Sequence, residues 1–311
     1  MATLSPTPPS TRPLTAFQVW MLAARPKTLP AAAAAAVVGS AVAWYEGRFQ
    51  ALPALACLVT ALLLQVGANL ANDLFDFHRG ADTAERLGPL RVTQAGLLSP
   101  RQVQQGMLVV FGLAALLGLY LIGVAGWPVL LMGLASILAA LAYTGGPLPY
   151  GYYGLGDLMV FIFFGPVAVI GAYYIQARDA WTLHLSLPAS LPMGLLIVAI
   201  LVVNNLRDIH TDRKAGKHTL AVRIGERGAR LEYSLCLGIA YLSLLWIGWA
   251  CGSAWVGLAL LSLPAAYRWN RFVWTEHGRP LNRALAGTGQ LTLLLGVLLS
   301  LGLAAARLSG G

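Results

Sequence analysis

Long apolar runs separated by short polar connections set the pattern of this chain. About twenty apolar residues cross a bilayer as a helix. About nine such runs are present, at residues 28–45, 51–72, 102–122, 128–145, 155–175, 188–207, 229–250, 252–269 and 285–306. The pattern predicts an all-α integral membrane protein, a bundle of about nine transmembrane helices joined by short caps. Within the second run Gln65 and Asn69 sit at a depth where polar groups are costly unless they meet partners or a cavity, so a cavity inside the bundle is expected.

Two stretches interrupt the apolar pattern with the same design. The first is GANLANDLFDFHRGADTAERLGPLRVTQAG, residues 67–96. Its Asn69, Asn72, Asp73, Asp76 and Gly80 fall at i, i+3, i+4, i+7 and i+11 and share a helix face if the helix continues that far. The second is VVNNLRDIHTDRKAGKHTLAVRIG, residues 202–225, where Asn204, Asn205, Asp208 and Asp212 repeat the plan of an amide pair, two carboxylates a turn apart, a glycine and cations. This echo fits two related halves facing each other across one site. The loop from Phe77 to Pro100, with Gly80, Gly88, Pro89 and Gly96 as breakers, is long for a compact bundle and reads as functional.

Composition agrees with the pattern: 58% of the 311 residues are hydrophobic and 11% charged, against roughly 25% charged in a soluble domain. Cytoplasmic loops collect Lys and Arg. With the N terminus inside, 18 of the 21 basic residues fall on cytoplasmic segments, leaving Arg48, Arg178 and Arg307 outside. The expected orientation is N-in and C-out, with both acidic stretches on the cytoplasmic face. The net charge of +9 is then mostly topology, and no nucleic-acid partner is expected. Cys57, Cys236 and Cys251 stand alone in apolar segments and read as core residues. Residues 1–16, rich in Pro, Ser and Thr, read as a disordered cytoplasmic tail, and 17–311 as a single transmembrane domain.

Two carboxylate faces beside basic loops form an oxygen-rich site suited to Mg²⁺, which holds few protein carboxylates and completes its shell with phosphate oxygens and water. Nearby Arg and Lys residues bind the outer phosphate oxygens. At the mouth of an apolar bundle, the ligand such a receptor fits is a diphosphate with a long apolar tail. If that tail is an allylic isoprenoid, departure of the diphosphate leaves a cation, which Tyr143, Tyr150, Tyr152 and Tyr153 would stabilise through their π-faces. A cation-coupled transporter is the alternative of a different class; it would place its acids near the bilayer midplane, whereas these lie at helix ends. Arg25 and Lys27 read equally as topological anchors or as substrate contacts, and Asp157 equally as a helix cap or as a functional acid.

At these residues the chain resembles the UbiA superfamily of intramembrane prenyltransferases, whose motifs have the forms NDxxDxxxD and DxxxD. The first reads Asn72-Asp73-Leu-Phe-Asp76-Phe-His-Arg-Gly80-Ala-Asp82, with Gly80 where many members carry the last Asp; the second is Asp208-Ile-His-Thr-Asp212. RPKTLPAA at 25–32, RVTQAGLLSP at 91–100 and YTGGPLPYGYYGLGD at 143–157 are similar to the branch that prenylates 1,4-dihydroxy-2-naphthoate. Basic residues that benzoate-prenylating relatives carry after the equivalent of Tyr143 are missing.

The resemblance implies nine helices around a central cavity with cytoplasmic cap loops, in a bacterial inner membrane with the active site on the cytoplasmic side. It implies Mg²⁺-dependent transfer of a polyprenyl group from polyprenyl diphosphate to 1,4-dihydroxy-2-naphthoate with decarboxylation, giving demethylmenaquinone. A phytyl donor, or another quinone precursor, is the alternative within the superfamily. The implied catalytic set is Asn72, Asp73, Asp76, Asp208 and Asp212, the four acids being metal ligands. Arg79, Arg91, Lys214 and Lys217 are the expected diphosphate contacts. Asn69, Tyr143, Asp157, Asn204, Asn205 and Lys27 are the expected substrate contacts, Lys27 or a nearby Arg pairing with the acceptor carboxylate.

Overall fold

Every regular element in the computed structural model, which describes residues 14–81, 87–178 and 183–310, is helical. The helices are α1 (Ala16–Ala24), α2 (Leu29–Tyr45), α3 (Ala51–His78), α4 (Pro100–Ala125) and α5 (Trp127–Ala142). They continue with α6 (Gly156–Ile162), which runs through one wide turn, Phe163–Val167, into α7 (Ala168–Ala177). Then come α8 (Leu183–Arg207), α9 (Ile209–Lys214), α10 (Leu220–Cys251), a tightly wound stretch Ala254–Ser262, α11 (Leu263–Thr275) and α12 (Leu281–Ser309). Asp82, two residues beyond the last position of the first motif, lies outside the described residues, as do residues 1–13 of the expected tail. The rest of that tail is ordered into a helix start: Thr15 caps α1, and Ala16 is already helical.

Side-chain capping marks where α1 and α4 begin. At α4, Ser99 N donates to Gln102 Oε1 at 2.8 Å and Gln102 N to Ser99 Oγ at 3.3 Å. Pro100 follows at the first helical position, where its missing N–H leaves no bond unmade. Thr15 and Gln18 form the same reciprocal pair before α1.

Seven stretches among the described residues are long and apolar enough to cross a membrane. They match seven of the nine expected runs. The other two take shorter forms. Helix α5 has 16 residues, roughly 24 Å of rise. The run expected at 252–269 becomes the tight Ala254–Ser262 stretch continuing into α11.

Helix α8 is the hub, packing on α2, α6, α7, α10 and α12. Its Leu185, Ala189, Met193, Leu196, Ala199 and Val203 are fully buried, following the helical repeat along one stripe and its neighbours. Helix α2 meets α7 backbone to backbone: a Cβ on Gly39 would lie 2.3 Å from the Val169 carbonyl oxygen, so only glycine permits the approach. A second cluster joins α1, α3, α4 and the turn at Val92–Leu98.

One feature of the cap departs from a single continuous acidic face. Helix α3 extends to His78, but Gly80 turns off it at φ 66°. Asn69, Asn72, Asp73 and Asp76 therefore share the helix and Gly80 does not; its left-handed backbone ends the helix where an Asp would be strained.

Candidate functional site

A cavity of about 620 Å³ runs from the polar ends of α3 and α8 down between α2, α3, α4, α5 and the α6–α7 segment. Its polar end is lined by Asn72, Asp76, Arg91, Asp208, Asp212 and Lys217, and its far end by Leu116, Leu121, Ile122, Val129, Phe163 and Phe164. Leu116, Leu119, Leu130 and Leu134 line it and are also exposed on the outside of the bundle, so the apolar end opens toward lipid between α4 and α5.

Asp76 is the centre of the polar end. Its carboxylate is 1% exposed as a residue and is held from three separate segments. Arg91 Nη2 lies 2.8 Å from Oδ2; Lys217 Nζ lies 3.1 Å from Oδ1, and the Tyr152 hydroxyl donates to Oδ1 at 2.8 Å. Lys217 Nζ also stands 4.7 Å from the Tyr152 ring centroid, within the range of a cation–π contact. The Lys217 turn is fixed by backbone hydrogen bonds, Lys217 N donating to Asp212 O at 2.8 Å and His218 N to Tyr152 O of the loop after α5 at 2.9 Å.

The second acidic stretch is organised by Arg207, a residue not singled out from the sequence. Its side chain has no exposed surface. Its fork donates through Nε to Asp208 Oδ1 at 2.9 Å and through Nη2 to Asp208 Oδ2 and, at 2.8 Å, to Asn204 Oδ1. Nη1 reaches Asn282 Oδ1 on α12 at 2.8 Å, and Asn282 Nδ2 in turn donates to Leu87 O at 3.0 Å. The available signal is an Arg at the end of a largely apolar helix and directly before an Asp.

The remaining expected residues separate into two groups. Asn72, Tyr143, Asn204, Asn205 and Asp212 line the cavity, and Thr144 Oγ1 donates to Asn72 Oδ1 at 3.0 Å. Tyr150 lines it too; its hydroxyl donates to Ala139 O at 2.7 Å, and burial pushes its phenol up to about 12. The others stand off the lining. Asn69 Nδ2 donates to Ala24 O and Thr28 Oγ1, each at 2.9 Å, fastening the α1–α2 corner to α3. Lys27 is exposed, while Arg25 and Thr28 from the same corner line the cavity. Arg79 donates to Thr144 O at 3.0 Å and to Gly146 O, closing the α3 end onto the loop after α5. Lys214 is exposed on the last turn of α9. Asp157 stands one residue inside α6 rather than at its cap, is 6% exposed, and its two oxygens have no hydrogen-bond partner among the described residues. Asp73 accepts from Val92 N and Thr93 N, each at 3.2 Å.

Sequence comparison matches residues 32–294 to the model of the UbiA prenyltransferase family. The chain belongs to the UbiA prenyltransferase family. It is 42% identical over 298 residues to the 1,4-dihydroxy-2-naphthoate octaprenyltransferase of Escherichia coli (strain K12), covering 91% of this chain and 96% of that protein. It is 40% identical over 297 residues to the enzyme of the same name from Haemophilus influenzae, covering 92% and 96%. A UbiA homolog from Archaeoglobus fulgidus bound to GPP and Mg²⁺ superposes with a TM-score of 0.67 over 92% of this chain and 99% of that one, at 13% identity. At that identity the likeness concerns the UbiA fold alone.

The donor set of this UbiA cavity fits Mg²⁺. Its polar end is lined by Asp76, Asp208 and Asp212 and by Asn72, Asn204 and Asn205, side chains that carry the hard oxygen ligands this ion takes. Among the described residues no three acids, histidines or cysteines already form a metal cage.

Proposed function

We propose that this prenyltransferase moves a polyprenyl group from polyprenyl diphosphate to 1,4-dihydroxy-2-naphthoate in a Mg²⁺-dependent reaction that releases the acceptor's carboxyl group as CO₂. The acceptor follows the naming of relatives about two-fifths identical over nearly their whole length. The observation that carries the mechanism is one cavity with two chemistries, cations and carboxylates at one end and a lipid-open apolar channel at the other.

In this reading the diphosphate lies against Arg91 and Lys217, and the prenyl chain runs past Phe163 and Phe164 to leave between α4 and α5. Asp76, Asp208 and Asp212 would hold Mg²⁺, which would supply charge neutralisation for the departing diphosphate. Arg91 and Lys217 add fixed positive charge at the same place, effective because the site is buried. The C–O bond breaks with its electron pair going to the diphosphate. The allylic cation left behind faces Tyr143, Tyr150 and Tyr152. The acceptor's carboxyl-bearing ring carbon attacks it, a C–C bond forms, and the bond to the carboxylate breaks to restore aromaticity. The product is the prenylated naphthalenediol, the reduced form of demethylmenaquinone. Arg25, the cavity-lining cation of the α1–α2 corner, pairs with the acceptor carboxylate in place of Lys27. The protein sits in a bacterial inner membrane with nine spans, N-in and C-out, and the polar end at the cytoplasmic side.

Membranes holding the enzyme, given labelled polyprenyl diphosphate and the naphthoate, are expected to form a lipid-soluble product and one CO₂ per product only when Mg²⁺ is present. Product from 4-hydroxybenzoate alone would assign another acceptor. No product with any aromatic acceptor would overturn the reading in favour of ion transport.

A further inference from the structure

Asp73 and Asp76 are three residues apart on α3, a rotation of about 60° between side chains, and that rotation sends them to different tasks. Asp76 lines the cavity and Asp73 does not. Asp73 is 1% exposed, and its two oxygens are taken up separately, Oδ2 by Val92 N and Oδ1 by Thr93 N. Those two amides open a compact turn closed by Ala95 N to Arg91 O at 2.9 Å, Gly96 N to Thr93 O at 3.1 Å and Leu97 N to Val92 O at 3.0 Å. Inside such a turn the first N–H groups have no backbone acceptor; the Asp73 carboxylate supplies one for each. Val92 has no exposed surface and packs among Leu70, Leu74, Leu98 and Val103, so the turn is pinned on both its polar and its apolar side. Arg91 precedes Val92 and is carried by that turn to Asp76 Oδ2.

We propose that Asp73 is a positioning residue that builds the Arg91 phosphate arm, not a ligand of the metal. The assignment rests on the prenyl-diphosphate reading above, because that reading gives Arg91 its task. A metal bound by Asp73 would have to strip two buried amides of their acceptors, a loss that charge-assisted hydrogen bonds resist. Asp76 can exchange its partners because both cations have phosphate oxygens to move to.

The test uses the full-length enzyme in lipid nanodiscs, with Mn²⁺ as the spectroscopic probe and inorganic pyrophosphate as the ligand. Asp73→Asn is expected to keep Mn²⁺ affinity within about threefold of the unaltered protein. It is expected to raise the KM for prenyl diphosphate about tenfold, to leave the acceptor KM unchanged and to speed amide exchange at Val92 and Thr93 about tenfold. Asp76→Asn is expected to lose Mn²⁺ binding by at least roughly tenfold while leaving exchange at those amides slow. Arg91→Ala, with Asp73 intact, is expected to reproduce the diphosphate KM change, and adding Asp73→Asn to it is expected to cost nothing more. Loss of Mn²⁺ affinity in Asp73→Asn equal to that in Asp76→Asn would overturn the assignment, as would unchanged exchange at Val92 and Thr93. Failure of the unaltered protein to bind Mn²⁺ with pyrophosphate would overturn the reading of the site itself, a different result from either of these.

Discussion

The two acidic stretches share a sequence plan but hold their carboxylates by opposite means. Asp76 is satisfied by Arg91, Tyr152 and Lys217, partners 15, 76 and 141 residues away. Asp208 is satisfied by Arg207, its immediate neighbour, with Asn204 one turn back on the same helix. The first is a clamp made by tertiary structure, where three loops meet on one carboxylate. The second is nearly self-contained, a cation and its acid packaged at the end of α8 and tied to the rest through Asn282. A clamp of this kind reports on the closure of the whole cap. A packaged pair gives one helix end a fixed shape before the loops arrive.

Breaking the packaged pair is expected to have the largest effect on folding. Arg207→Leu leaves the buried Asp208 without its counter-charge, a loss of about 3–5 kcal/mol, and removes the donor to Asn282 Oδ1, whose Nδ2 holds Leu87 O. Thermal unfolding in detergent would report it. A midpoint unchanged from the unaltered protein would mean that water or another cation reaches Asp208. Breaking the clamp is expected to cost activity more than stability: Asp76→Asn lowers kcat/KM by a factor on the order of 10²–10³, because the amide still accepts from Tyr152 but no longer holds cations or metal. A loss equally large in Arg207→Lys would erase the distinction between the two stretches.

How much of this was legible follows the same division. Helix α8 with its end at Arg207 is written in local pattern, a long apolar run closed by an amide pair and then an Arg-Asp pair. The seven long helices and the cavity between them follow from apolar periodicity and from polar residues placed where only a cavity excuses them. The clamp was not legible, because the meeting of Arg91 with Asp76 depends on the turn at 91–96, whose shape is set by the Asp73 carboxylate and the burial of Val92. Spacing alone put Asp73 and Asp76 on one face; a rotation of about 60° is small on a helical wheel and large when one side is a loop and the other a cavity. The α1–α2 corner follows the same division: Lys27 or a nearby Arg is the expected acceptor contact, and spacing alone does not say which of them lines the cavity. Arg25 takes a left-handed backbone at φ 52°, so the corner turns Arg25 and Thr28, and not Lys27, to the lining.

Intermediate effects would sharpen the comparison. Tyr152→Phe removes one hydrogen bond to Asp76 and keeps the ring under Lys217. It is expected to reduce kcat/KM about tenfold, the worth of a hydrogen bond to a charged acceptor. The test is whether the loss appears in the diphosphate KM, as the clamp requires, or in the acceptor KM, which would move Tyr152 to the aromatic side of the cavity.

The finest distinction lies between two lysines three residues apart that sequence reading treated alike. Lys217 is on the cavity wall, with 13% of its side chain exposed, and is ion-paired to Asp76. Lys214 is exposed on the last turn of α9, off the lining. An ammonium in water is screened and its removal changes little, whereas one held against a buried carboxylate and an aromatic face acts at lower local dielectric. Lys217→Ala is therefore expected to lower kcat/KM about tenfold, and Lys214→Ala less than about twofold. Raising the salt concentration separates the two further, since it weakens the contribution of Lys214 and leaves that of Lys217 nearly intact. Equal losses from the two substitutions, falling together with salt, would mean that the diphosphate is gathered by the general positive field of the α9 loop. The ion pair with Asp76 would then be a resting contact with no part in binding.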